Sequence, residues 1–207
     1  MTIAIIGLGN MGKGLAKRLS GKADLVIGVR NAADAAGFAR EQNLPVTGVA
    51  EAVAKADIVV LALPYAAALE LAATTPALAG KVVVDISNPL KPDFSGLSLG
   101  HTSSAAEEIQ NAAPAARVVK AFNTIFASVF DAPAAATADV PVFLAGNDAE
   151  AVEAVAELAQ KAGFAVERVG GLDGARLVEP VGMLNIRLGY GLGKGTAIAP
   201  SWLSLAA

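Results

Sequence analysis

The chain contains no cysteine, and that one absence removes disulfides, thiol catalysis and thiolate metal sites together. Its single histidine, His101, cannot form a histidine cluster, so no metal site is expected. Basic charge is also short. Sixteen Lys and Arg against nineteen Asp and Glu give a net charge of −3 with no basic stripe, which argues against a nucleic-acid partner. Hydrophobic residues reach 54%, but much of this is alanine. No uninterrupted apolar run approaches the roughly 20 residues that span a bilayer, so a membrane role is not expected. No basic stretch with an apolar signal core precedes Ile3, and the expected location is the cytoplasm. Tyr65 is followed by alanines, and no convincing acid–base pair emerges. His101 follows Gly100 in a loop and reads as surface polarity more readily than as a proton donor.

What is present begins at the first strand. Ile3-Ala4-Ile5-Ile6 runs into Gly7-Leu8-Gly9-Asn10-Met11-Gly12, and a helical pattern follows at once. This is G-x-G-x-x-G in the context that gives it meaning. Gly7 allows the tight turn, Gly9 lets the backbone approach a pyrophosphate, and Gly12 lets the helix pack against the strand. The N–H groups of Asn10, Met11 and Gly12 would face the phosphates, as unpaired donors reinforced by the helix dipole. The second strand, Leu25 to Asn31, ends in Arg30 where an NAD enzyme usually places Asp or Glu for the ribose hydroxyl. A guanidinium suits a 2′-phosphate, whereas a carboxylate would repel it, so NADP(H) is favoured. Taken singly, Arg30 also reads as a solvated charge at a strand end.

Apolar runs alternate with helical patterns, as in a parallel sheet covered on both faces. Further strands are predicted near Pro45-Val46 and over Asp57–Leu63, Lys81–Ile86, Arg117–Ala121, Val140–Ala145 and Phe164–Val169. Helices are predicted over Met11–Leu19, Ala33–Gln42, Val49–Ala54, Ala66–Ala73, Ala105–Ala112 and Ala149–Ala162. The expectation is a Rossmann-type, doubly wound, mostly parallel α/β sheet extended by extra strands along one edge. Residues 1–207 read as a single NADP-binding domain, with a βα core to about residue 170 and a C-terminal helix and tail over about 171–207. Asp131 to Asp139 reads as a surface loop. The closing helix, Gly174 to Leu188, is interrupted by Pro180 and runs into glycines at 189–195. For its polar residues Arg176, Glu179, Asn185 and Arg187, a solvated position is the safer expectation.

Ligands of open parallel sheets bind beyond the carboxyl ends of the strands. Three consecutive tails there are suggestive: Leu63-Pro64-Tyr65, Ser87-Asn88-Pro89-Leu90, and Lys120-Ala121-Phe122-Asn123-Thr124. Prolines stop the ladder where a flat nicotinamide would need room, and Asn88 and Asn123 offer both donor and acceptor to its carboxamide. Each taken alone also reads as ordinary turn chemistry.

Several of these segments resemble one family. Gly7 to Gly14, Gly28-Val29-Arg30-Asn31, Leu63-Pro64-Tyr65, Ser103 to Ile109, Val119 to Thr124 and Ala175 to Pro180 are similar to the deazaflavin-dependent NADP reductases. They also resemble the cytosolic oxidoreductase domain of the six-transmembrane metalloreductases, which carries a Lys-x-Phe-Asn segment. The resemblance implies NADPH bound by Gly9, Asn10, Met11, Arg30 and Asn31, with the nicotinamide near Pro64 and a flavin-like ring stacked on it. Asn123 stands where the deazaflavin enzymes tend to have histidine, which leaves FMN, FAD and deazaflavin all open as second substrate. A hydride exchange of this kind needs little proton chemistry from the protein. The competing readings are a non-catalytic NADPH-binding sensor or subunit, and a reductase of small imines or carbonyls. Met183, Leu184 and Ile186 suggest a self-complementary patch for a homodimer, and Trp202 an anchor for it or a cap on the pocket.

Overall fold

The computed structural model describes residues 1–203 and 205. Eight strands form one sheet in the order β3-β2-β1-β4-β5-β6-β7-β8. The six that make the dinucleotide-binding pattern are β1 (Thr2–Ile6), β2 (Asp24–Val29), β3 (Val46–Gly48), β4 (Ile58–Leu61), β5 (Val82–Asp85) and β6 (Arg117–Lys120). Neighbours among them all run parallel. β7 (Pro141–Gly146) joins antiparallel to β6, and β8 (Ala165–Arg168) lies parallel to β7. The surplus strands therefore extend one edge, as expected.

Strict alternation along the strands builds a core on each face. In β1, Ile3 and Ile5 pack beneath α1 (Asn10–Leu19) and α7 (Ala149–Lys161) with Leu15, Leu19, Val155 and Phe164. Ala4 and Ile6 point the other way, into Ala52, Val53, Ala68, Ala72 and Ile109. These come from α3 (Val49–Lys55), α4 (Tyr65–Thr74) and α5 (Ala105–Ala112). α2 (Ala32–Gln42) is capped by Asn31, whose side-chain oxygen accepts from the Ala33 N–H at 3.2 Å. The segment read as a loop at 131–139 holds a single helical turn, α6 (Ala134–Thr137). Arg18, on the buried side of α1, donates to the carbonyls of Phe130 and Ala132 at 2.7 and 2.6 Å and so straps the preceding segment to that helix.

α8 (Ala175–Ile186) closes the fold with Pro180 inside it and continues into a π-helical turn at Arg187–Gly191. Trp202 is exposed and its ring lies 6.0 Å from that of Phe143 on β7, so it caps no strand-end pocket. Among the described residues, no helix is long and apolar enough to cross a membrane.

Candidate active site

The carboxyl ends of β2, β1, β4, β5 and β6 lie side by side along one edge. The chain order reverses between β1 and β4, the switch at which open α/β sheets receive ligands. Four strand spacings of about 4.8 Å make this edge roughly 19 Å long, the scale of an extended dinucleotide.

At its centre, Gly7 adopts φ +97°, and a Cβ there would sit 2.5 Å from the Ala62 carbonyl oxygen. A Cβ on Gly12 would collide with the Gly7 carbonyl oxygen, so the turn and the helix can meet only as glycines. Gly9 instead faces open space and stands at the N-cap of α1 without a side-chain cap. The first helical bond runs from the Lys13 N–H to the Gly9 carbonyl, which leaves the N–H groups of Asn10, Met11 and Gly12 outside the helical ladder. This is the donor set an anionic pyrophosphate requires.

On the β2 side, Arg30 is exposed, and its guanidinium enters no ion pair among the described residues. Asn31 follows it with its oxygen committed to capping α2, so only its amide nitrogen is available to a ligand. On the other side, β4 stops at Leu61, two residues earlier than the apolar pattern suggests. Pro64 has no N–H to extend the ladder and becomes the N-cap of α4, which makes Tyr65 a helical residue and not a strand end. Leu63 packs toward Gly7. Burial raises the Tyr65 phenol above its ordinary value, with Glu108, Glu179 and Asp85 adding to the effect, so Tyr65 stays protonated. His101 is exposed, in a left-handed turn at φ +53°.

The tails of β5 and β6 are joined through their asparagines. Asn88 Nδ2 donates to the Asn123 carbonyl at 2.8 Å, and Asn123 Nδ2 donates to Asn88 Oδ1 at 2.9 Å. Asn123 Nδ2 also reaches the Val178 carbonyl in α8 at 3.1 Å. Asn123 Oδ1 is buried with no hydrogen-bond partner among the described residues. Phe122, just before it, is buried at φ +58°, a costly conformation for a bulky residue, and its ring is held among Phe130 and Phe164. Ala121 is fully buried and still in the ladder, its N–H bonded to the Asp85 carbonyl, so it offers a ligand no side chain.

Beneath this pair lies a charged cluster that the sequence reading does not contain. Lys120 Nζ, fully buried, donates to Asp85 Oδ2 at 2.6 Å and to the Ser87 carbonyl at 2.7 Å. It also stands 2.7 Å from Glu179 Oε1, a charge contact outside the angular range of a full hydrogen bond. The other Glu179 oxygen accepts from the Ala105 N–H, at the start of α5, at 3.1 Å. Burial pushes the Glu179 carboxyl above its ordinary value, while Lys120 opposes that rise. Glu179 and Asn185 are thus buried, contrary to the solvated expectation, because α8 turns a face of Ala175, Val178, Glu179, Gly182 and Asn185 inward. Arg176 forks onto Glu107 at 2.9 and 2.6 Å and holds that carboxyl below its ordinary value, while Arg187 is exposed. The signal was available: Lys120 interrupts the apolar run Val118 to Phe122, and a lysine inside a doubly covered strand must find a carboxylate.

Gly182 brings α8 onto the asparagines. A Cβ there would lie 2.7 Å from Asn88 Oδ1 and 2.9 Å from Asn123 Nδ2. Gly182→Ala should therefore cost about 1–3 kcal/mol through overpacking, despite alanine's better helix propensity. Denaturant melts that show no loss would mean α8 yields freely at this contact. Two cavities, of about 440 and 490 Å³, lie against α5 around Gln110, Asn111 and Asn147. Neither touches the glycine turn or the asparagine pair.

The fold is shared, over nearly the whole length of the chain, with a solved structure. A protein of Arthrobacter sp. FB24, provisionally named as an F420-dependent NADP-reductase, is 32% identical with a TM-score of 0.83, covering 94% of this chain and 96% of that one. The chain belongs to the F420-dependent NADP oxidoreductase family. The family model, described as NADP oxidoreductase coenzyme F420-dependent, matches residues 2–89, from β1 through the Asn88 turn. Rat metalloreductase STEAP3 is 34% identical over 180 residues, 86% of this chain. The chain spans 36% of the length of that relative. A reductive aminase from Aspergillus terreus, at 23% identity and a TM-score of 0.68 over 93% of this chain and 63% of that one, shows the fold alone. The segment that the family model covers thus includes Asn88 and Asp85, while their partners Asn123, Lys120 and Glu179 lie beyond it.

Proposed function

We propose that this NADP oxidoreductase binds NADPH along the carboxyl edge of the sheet and passes its hydride to a flavin-like ring, whether FMN, FAD or a deazaflavin. The observation that carries the reading is the placement, on one continuous edge, of the uncapped glycine turn, Arg30 on one side and the Asn88–Asn123 pair on the other. The N–H groups of Asn10, Met11 and Gly12 hold the pyrophosphate, and Arg30 with the Asn31 amide holds the 2′-phosphate. Leu63 and Pro64 border the nicotinamide, whose carboxamide bonds the asparagines. NADPH supplies the hydride, and the protein supplies position and exclusion of water. A protonated Tyr65 and an exposed His101 suit a reaction that needs no strong base from the protein.

The test is steady-state oxidation of NADPH, followed at the nicotinamide band, with each of the three rings as acceptor. Turnover with one of them is expected. Tight NADPH binding without oxidation by any would replace the reductase with a sensor or subunit. We further propose a homodimer seated on α8, where Leu177 and Leu184 are exposed on a helix that also carries Met183. Leu184→Glu should then halve the mass seen in sedimentation, and an unchanged mass would remove α8 from the interface.

A further inference from the structure

We propose that Glu179, acting through Lys120 and α8, is a positioning residue that sets the Asn88–Asn123 pair for the nicotinamide end of the dinucleotide. This rests on the NADPH reading above. Four elements meet at Glu179: its own helix α8, β6 through Lys120, β5 through the Lys120–Asp85 contact, and α5 through the Ala105 N–H. The neighbouring residue in the chain, Val178, accepts from Asn123 Nδ2, and one turn on, Gly182 lies against both asparagines. The charge contact and the amide contacts therefore share one helical turn, so a shift of α8 at Glu179 is a shift at Asn123. Asn123 Oδ1 is left buried without a partner among the described residues. An acceptor so placed suits the N–H donors of a carboxamide.

The clamp has a proton dependence that a neutral packing contact would lack. Glu179 faces Lys120 on β6, Asp85 on β5 and the N-terminus of α5, with Tyr65 on α4 and Glu108 on α5 in the same field. Arg176, on its own helix, is engaged by Glu107. Burial raises the Glu179 carboxyl from its reference value of 4.5, so it takes up a proton sooner than a free glutamate as pH falls. Protonation removes the attraction to Lys120.

The test compares two ligands by calorimetry, NADPH and 2′-phospho-ADP-ribose, the second of which has the 2′-phosphate and the pyrophosphate but no nicotinamide. Glu179→Gln should leave 2′-phospho-ADP-ribose affinity unchanged and weaken NADPH about tenfold. In the unmodified protein, the ratio of the two affinities should fall toward acid pH, and titration of the shared 2′-phosphate cancels in that ratio. In the Gln variant the ratio should be flat. Equal weakening of both ligands, no weakening of either, or a ratio independent of pH in the unmodified protein would each overturn the positioning role. The pH arm needs no variant, so it stands even if Glu179→Gln fails to fold. An unmodified protein that binds neither ligand would overturn the NADPH reading itself, and this inference with it.

Discussion

Lys120→Met should destabilise the fold by about 3–5 kcal/mol, because it leaves two fully buried carboxyl groups without their cation. Against a total stability on the order of 5–15 kcal/mol, that is a loss of roughly 10 °C or more in melting temperature. The loss should depend on pH with a definite sign. Lys120 holds the Glu179 carboxyl down against the desolvation that raises it, so removing Lys120 raises it further. A carboxyl raised in the folded state leaves stability intact at acid pH. Stability is then lost as pH climbs from the ordinary glutamate value through the folded one. The variant should therefore be damaged more at neutral than at acid pH. Adding Asp85→Asn and Glu179→Gln to Lys120→Met should recover much of the stability, since an uncharged buried cluster avoids the desolvation cost. A single Lys120 variant that melts like the unmodified protein would mean that the buried charges contribute nothing net to the fold.

Arg30→Asp should act on binding and leave folding alone, because the side chain is exposed and pairs with no described residue. Its guanidinium offers charge-assisted bonds to a 2′-phosphate, and the carboxylate would repel the same group. NADPH affinity should fall about 100-fold, or about 2.7 kcal/mol, while NADH changes by less than about threefold. Calorimetric titration of both cofactors against both proteins reads this directly. If NADPH and NADH weaken equally, Arg30 supports the β2 end structurally and the preference for NADP loses its basis.

The two predictions differ in how openly the sequence announces their residues. Arg30 is visible because the glycine turn fixes a distance along the chain to the end of β2, and local chemistry there is interpretable without tertiary contacts. The sheet was legible for a similar reason: strands such as Ile3–Ile6 and Val82–Val84 are apolar on both faces, and helices separate them. The end of β4 was not, because Ala62 and Leu63 continue the apolar run after the ladder has given way to the Pro64 cap. The antiparallel entry of β7 was also hidden, since nothing in Val140–Ala145 records the direction of its neighbour.

The asparagine pair lies between these cases. Asn88 and Asn123 stood out as strand-end residues, yet their mutual bonds connect positions 35 residues apart. Glu179 is farther still from its partners, and on the chain it looks like any other polar residue of a closing helix. Only the contact of α8 with β5 and β6 shows that the helix carries a carboxylate, a glycine and an asparagine inward. As a cap on the pocket Trp202 misled in the opposite direction, its size suggesting a lid, whereas its ring lies by Phe143.

The most direct test of the hydride-transfer account is a single turnover of protein-bound NADPH carrying deuterium at the transferred position of C4, mixed without oxygen with FMN, FAD or deazaflavin. The account predicts that nicotinamide absorbance is lost in step with reduction of one ring, and more slowly for the deuterated cofactor. Bound NADPH that stays reduced in the presence of all three rings would contradict it.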